Sequence, residues 1–147
     1  MENIDRLFDL LDKYVSNFPE KGMLYAKHKA DWIPYTSIQI KEKCYQLAAA
    51  FLRFGLNGHD LSPEKQDKIA IISNNRPEWL ITDFATQMTG AVLVPIYPSI
   101  TEMEWEYILN ESQVAILFIS DKAIYKKVQK IKDKVPTLQH IYSFDKV

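Results

Sequence analysis

Residues 73–79, SNNRPEW, are the stretch of this sequence best placed to do chemistry. They follow an apolar run and open an amphipathic one, so they form a strand-to-helix turn, where doubly wound sheets usually bind ligands. Free backbone N–H groups at such a turn, together with Arg76, suit a phosphate. Against this, Pro77 removes one donor and Glu78 puts negative charge where the anion would sit. Asn75 and Glu78 also have the spacing of a capping box, and that role outweighs anion binding. TGAVLVPIYPS, residues 89–99, is the second distinctive stretch. Gly90 allows a tight helix exit, and Pro95 and Pro98 end the strand and fix the direction in which the chain leaves it. Tyr97 is expected to pack under that loop rather than to line a pocket.

Other constellations do not assemble. The four glycines spell neither GxGxxG nor GxxxxGK[ST], so no dinucleotide fingerprint or phosphate loop is written here. His28, His59 and His140 are far apart in sequence, and no HExxH or GxSxG occurs. A receiver-type magnesium site needs acidic residues just after the first strand of the sheet, where Asn74 and Asn75 stand instead. Cys44 falls mid-helix among apolar neighbours and reads as a small core residue rather than a nucleophile. No catalytic, cofactor-binding or metal-ligating residue is therefore assigned.

The elements that hold these stretches are legible from their periodicity. KIAIIS (68–73), AVLVPI (91–96), VAILFIS (114–120) and QHIYSF (139–144) are short apolar runs that alternate with helical patterns at 77–88, 101–111 and 121–134. Such runs fit strands covered on both faces, as in a parallel sheet built from right-handed βαβ units. Thr101 with Glu104 forms a second capping box, and Ser120 or Asp121 caps the third helix. That helix buries Ile124, Val128, Ile131 and Val135, and displays Lys122, Lys126, Lys130 and Lys134 in a row that reads as a solvated face. Upstream, 23–28 and 32–36 form a short hairpin with Pro34 near an edge. A helix spans 37–54, with Gly55 as its stop, and 56–66 is a loop. Residues 1–18 form an amphipathic N-terminal segment, helical over 3–17, whose stripe is Ile4, Leu7, Phe8, Leu11, Tyr14, Val15 and Phe18. The fold class is α/β: three layers, a mostly parallel sheet with helices on both faces, plus the short hairpin. The 147 residues are expected to form a single domain.

Composition narrows the function classes. Eighteen basic against nineteen acidic residues give a net charge of −1, without the basic excess of nucleic-acid binders. One cysteine excludes a disulfide scaffold or a cysteine-cluster zinc site and suits a reducing cytoplasm. No apolar run is long enough to span a membrane, and the first residues lack a signal peptide's basic and apolar regions.

The ordered set Asp67, Lys68, Asn75, Pro77, Glu78, Trp79, Asp83, Gly90, Ala91, Pro95, Tyr97, Pro98, Tyr107, Ile108 and Leu109 resembles the AMP-forming acyl-CoA synthetases. In that family D-K-V-A-I is followed by N-x-P-E-W, G-A-V-x-V-P-x-Y-P and Y-I-L-x-x-S. The resemblance covers roughly residues 20–145, and the W-x-x-Y-T lead-in at Trp32–Thr36 is most similar to bacterial long-chain fatty-acid ligases. It implies the flavodoxin-like N-terminal subdomain of the adenylate-forming fold, and a longer ligase of which this chain is an N-terminal fragment. Such a ligase converts fatty acid, ATP and CoA to acyl-CoA, AMP and pyrophosphate through an acyl-adenylate, with Mg2+. The family's phosphate loop, metal-proximal Thr-Glu pair, ribose-binding Asp, hinge and C-terminal lysine all lie later than the part matched. The fragment alone is accordingly expected to be inactive, to bind none of these cofactors, and to self-associate through surface the remainder would cover. A cytoplasmic location with peripheral contact at the inner membrane face is the matching expectation. The rival reading is a complete, non-catalytic flavodoxin-like binding module.

Overall fold

Strands as apolar as 68–72 and 116–119 cannot leave either face in water, and parallel pairing between covered faces is the arrangement that satisfies them. The computed structural model describes residues 4–147. Its architecture is α/β, as expected: a parallel four-stranded sheet flanked by helices, and an antiparallel hairpin. The chain divides into two units, one of residues up to Gly55 with Arg76–Thr89, the other of Leu56–Asn75 with Gly90–Val147.

The first unit holds α1 (Asp9–Asn17), β1 (Gly22–His28), β2 (Asp31–Thr36), α2 (Ser37–Arg53) and α3 (Pro77–Thr89). β1 and β2 pair antiparallel, with Tyr25 opposite Pro34. Leu11, Ile40, Cys44, Ile81 and Phe84 form its core. Lys41 on α2 pairs with Asp12 on α1 at 2.6 Å. The Ser37 hydroxyl lies 2.7 and 2.9 Å from the carbonyl oxygens of Phe18 and Pro19, tying the chain after α1 to the start of α2. Thr36 and Gln39 close a reciprocal capping box on α2, a signal the sequence carries as Thr-x-x-Gln.

The helix expected over 3–17 begins only at Asp9; residues 1–3 of the segment lie outside the described residues. The Asp9 carboxylate explains the late start. It accepts the backbone N–H groups of Asp5 and Arg6 and pairs with the Arg6 guanidinium at 2.8 Å, closing a turn ahead of the helix. Of the expected stripe only Leu11 is fully buried, and Ile4, Leu7 and Phe18 stay 40–53% exposed.

The second unit holds β3 (Lys68–Ile72), β4 (Val92–Ile96), α4 (Glu102–Glu111), β5 (Ile116–Ile119), α5 (Lys122–Val128) and β6 (His140–Ser143). The strand order is β4-β3-β5-β6, with all pairs parallel. Ala70, Ile72, Leu117 and Ile119 point to one face, where α4 supplies Trp105 and Leu109 and α5 supplies Ile124 and Val128. Ile69, Ile71, Ile116 and Phe118 point to the other face and are buried as well.

α5 is shorter than the expected 121–134. It ends at Val128, and a 3-10 turn at Lys132–Lys134 follows. Lysines four residues apart repel along a straight helix. The tighter i→i+3 bonds at Lys130 and Ile131 break that row, and Lys130 and Lys134 reach Glu102 and Glu106 on α4 at 3.0 and 3.1 Å. Ile131 and Val135 remain buried despite the break.

The 56–66 loop is tied to Asp67 and to Gly90, ahead of β4. Asp67 accepts the Asn57 N–H at 2.8 Å and sits 3.0 Å from His59 Nε2, while Gln66 donates to the Gly90 carbonyl at 2.8 Å. Gly90 has φ +77°, a conformation that favours glycine. A Cβ on Gly58 would lie 2.7 Å from the Gly90 carbonyl oxygen, so backbone meets backbone here. Gly58→Ala is expected to destabilise the fold by roughly 1–3 kcal/mol, read as a lower urea midpoint at unchanged slope.

Candidate functional site

In open α/β sheets ligands settle beyond the carboxyl ends of the strands, at the point where connections diverge to opposite sides. The order β4-β3-β5-β6 puts that point between β3 and β5. Ser73, Asn74 and Asn75 follow β3 there, and Ser120 and Asp121 follow β5.

The polar groups of Ser73, Ser120 and Asp121 have local partners, while Asn74 and Asn75 are exposed. The Ser73 hydroxyl, buried, donates to the Asn74 carbonyl at 2.8 Å. The Ser120 N–H donates to the Ile72 carbonyl at 3.1 Å, and its hydroxyl donates to Asp121 Oδ2 at 2.6 Å. Asp121 Oδ1 accepts the N–H groups of Ala123 and Ile124 at 2.8 and 3.1 Å, which makes it the cap of α5. Thr101 and Glu104 form the expected capping box at the start of α4, and this bonding lowers the Glu104 carboxyl pKa. A phosphate approaching either helix would meet a carboxylate already bonded to the groups it needs.

In the first unit, Arg76 and Glu78 stand at the start of α3. Pro77 opens that helix, so Arg76 rather than Asn75 occupies the cap position. The Glu78 carboxylate accepts from Arg76 Nε at 2.8 Å, which replaces the expected Asn75–Glu78 box. Tyr97 does not pack under its loop: its ring is 77% exposed, and its contribution is a backbone carbonyl that accepts the Trp105 indole N–H at 3.1 Å. Trp105 needs that acceptor because its ring is fully buried. Among the described residues, no three His, Cys, Asp or Glu side chains gather as a metal site would require.

Cys44 lies in the core of the first unit, and burial pushes its thiol up to about 12. An uncharged thiol at that depth packs and does not attack. Two open grooves flank other elements, one beside β2 and α2 with Glu42 and Lys43, the other beside α5 and β6 with Lys132 and Asp133. Neither is lined by a Ser, Cys or His.

Solved structures with this fold are adenylate-forming ligases. The anthranilate CoA ligase AuaEII, solved with anthranoyl-AMP, matches 93% of this chain with a TM-score of 0.79 at 20% identity, using 24% of its own length. The long-chain-fatty-acid-CoA ligase FadD1 from Archaeoglobus fulgidus matches 93% with a TM-score of 0.73 at 21% identity, using 27% of its length. The chain belongs to the AMP-binding enzyme family, whose model matches residues 11–147. Its relatives are acyl-CoA synthetases. Among them, the long-chain-fatty-acid–CoA ligase FadD15 of Mycobacterium bovis is 32% identical over 107 residues, covering 73% of this chain and 17% of that protein. The long chain acyl-CoA synthetase 4 of Arabidopsis thaliana is 24% identical over 145 residues, 98% of this chain and 21% of that protein. The chain thus spans about a fifth of the length of the curated relatives it matches.

Two outcomes test this account of the polar groups. Asp121→Ala should cost about 1 kcal/mol of stability through the lost cap, measured by thermal denaturation. Cys44 sets a pH dependence: from its ordinary value of 9.0 up to about 12 the unfolded thiol is ionised while the folded one is not. Over that window stability should fall by about 1.4 kcal/mol per pH unit, because the folded state holds the extra proton. Urea titrations from pH 8 upward should show this slope in the wild type and lose it in Cys44→Ala.

Proposed function

We propose that this chain is the N-terminal scaffold of a long-chain fatty-acid–CoA ligase, and that it holds one wall of the active site without supplying a reacting group. The observation that carries the reading is the family match over residues 11–147, combined with a span of only about a fifth of the relatives' length. The whole enzyme would join fatty acid and CoA at the cost of ATP, releasing AMP and pyrophosphate through an acyl-adenylate. The groups in this chain do not fit a triphosphate: Asp121 and Glu104 close the N-termini of α5 and α4, and Glu78 stands in the first turn of α3. No step of the reaction is therefore routed through its residues.

The finer parts of the proposal are Mg2+ at the triphosphate in the whole enzyme, a cytoplasmic setting with peripheral contact at the inner membrane face, and self-association of this chain. Among the described residues no helix is long and apolar enough to cross a membrane. The exposed Ile4, Leu7 and Leu10 at the start of the first unit support surface contact instead.

Carboxylate-dependent ATP–pyrophosphate exchange decides the central point. The purified chain with palmitate, ATP and Mg2+ should give no exchange above background. Robust exchange would overturn the scaffold reading.

A further inference from the structure

The sequence holds a single Asn-Gly step, Asn57–Gly58, and the fold places it in the loop tied to Asp67 and Gly90. Glycine has no Cβ to shield its backbone nitrogen, so an asparagine before it meets the least hindered nucleophile the chain can offer. Asn57 Oδ1 accepts the His59 N–H at 2.6 Å, an Asx turn that folds the side-chain amide back over the peptide to Gly58. That donor sits where negative charge gathers when the amide carbon is attacked.

The peptide itself is polarised too. The Asp67 N–H donates to the Asn57 carbonyl at 3.1 Å, and a bonded carbonyl draws electron density from the nitrogen of the same amide. Among the described residues nothing accepts the Gly58 N–H, so no partner holds its proton. Asn57 is half-buried and His59 exposed, which leaves the side-chain amide within reach of water. His59 and Leu61 have φ of +49° and +61°, a left-handed backbone that favours glycine. The loop therefore carries strain that a longer backbone would relieve.

We propose that Asn57 is a self-modification site, where the folded loop drives loss of ammonia through a succinimide ring and water then leaves isoaspartate or aspartate at position 57. Gly58 N gives its proton to hydroxide, and its electron pair forms a bond to Asn57 Cγ. The carbonyl electrons move onto Oδ1, where the His59 N–H stabilises them. They return as the Cγ–Nδ2 bond breaks, and Nδ2 takes a proton from water and leaves as ammonia. One water opens the ring at either carbonyl, restoring an N–H and leaving a carboxylate. The balance is one water consumed and one ammonia released, with no change of oxidation state. The inference rests on this loop and not on the ligase assignment.

The product does not fit the loop. Either outcome puts a carboxylate on position 57, whose N–H lies 2.8 Å from Asp67 Oδ2, and like charges that close repel. Isoaspartate also adds a carbon to the backbone beside Gly58, where even a Cβ would lie 2.7 Å from the Gly90 carbonyl oxygen. Modification thus releases residues 56–66 from Gly90, once and irreversibly.

Peptide mapping by mass spectrometry tests this on the intact chain, folded in buffer and unfolded in urea, at neutral and mildly alkaline pH. Position 57 should lose the mass of ammonia and then gain that of water, at a rate that rises with pH. The reaction should run at least about tenfold faster folded than unfolded, since only the folded loop presents the His59 donor. Asn74, Asn75 and Asn110, each followed by a bulkier residue, should stay intact over the same time. Asp67→Ala removes the acceptor of the Asn57 N–H and the partner of His59, and should slow the folded reaction to the unfolded rate with unchanged circular dichroism. If Asp67→Ala does not fold, the folded and unfolded wild type decide the matter by themselves. The modified fraction should exchange the amide hydrogens of 57–67 faster than the unmodified one. A folded wild type that reacts no faster than the unfolded chain overturns the proposal. So does loss of ammonia at Asn74 or Asn110 ahead of Asn57, or a folded Asp67→Ala chain that keeps the full rate.

Discussion

β3 is the constraint on which the second unit depends. Ile69, Ala70, Ile71 and Ile72 have no measurable exposure, so every backbone group between them must find a partner inside the protein. Parallel neighbours on both sides meet that demand. The ladders place Ile69 beside Leu93 on one side and Ile116 on the other, and Ile72 beside Ile96 and Ile119. Once that register is set, the loops after Ile72 and Ile119 arrive at the same end of the sheet. A one-residue slip would turn four aliphatic side chains to the wrong faces and leave the Ser120 N–H without the Ile72 carbonyl.

Open α/β sheets place ligands at that end, and here the starts of α4 and α5 beside it are capped by the protein's own side chains. Asp121 binds two amides of α5 and the Ser120 hydroxyl, while Thr101 and Glu104 bind each other at α4. Such caps stabilise short helices that would fray in isolation; α5 has only seven residues. The same bonds exclude an anion. At these two helix starts the bonds that stabilise the support therefore also occupy first-turn amides.

The apolar runs at 68–73, 91–96, 114–120 and 139–144 announce the four strands, because burial on both faces leaves a compositional trace that needs no spatial information. The caps at Thr101 and Asp121 are equally local, and Thr36 with Gln39 was readable by the same rule. What escaped the sequence depends on groups that meet only after folding. The break in α5 goes with contacts from Lys130 and Lys134 to Glu102 and Glu106, twenty-eight residues away. The late start of α1 depends on Asp9 capturing amides behind it, a reversal that helical periodicity hides. Tyr97 is exposed, and what it gives the buried Trp105 is its backbone carbonyl, a contact that only folding brings about.

The bridges between α4 and the chain after α5 repeat at one interval on both sides, Glu102 to Glu106 and Lys130 to Lys134. Exposed pairs like these add little to stability, up to roughly 1 kcal/mol each. Their value lies in alignment. A slide of one residue would break both contacts, and a slide of a whole turn would keep only one. Two weak bonds at matched spacing thus behave as a vernier scale, selecting a single setting of one segment against the other.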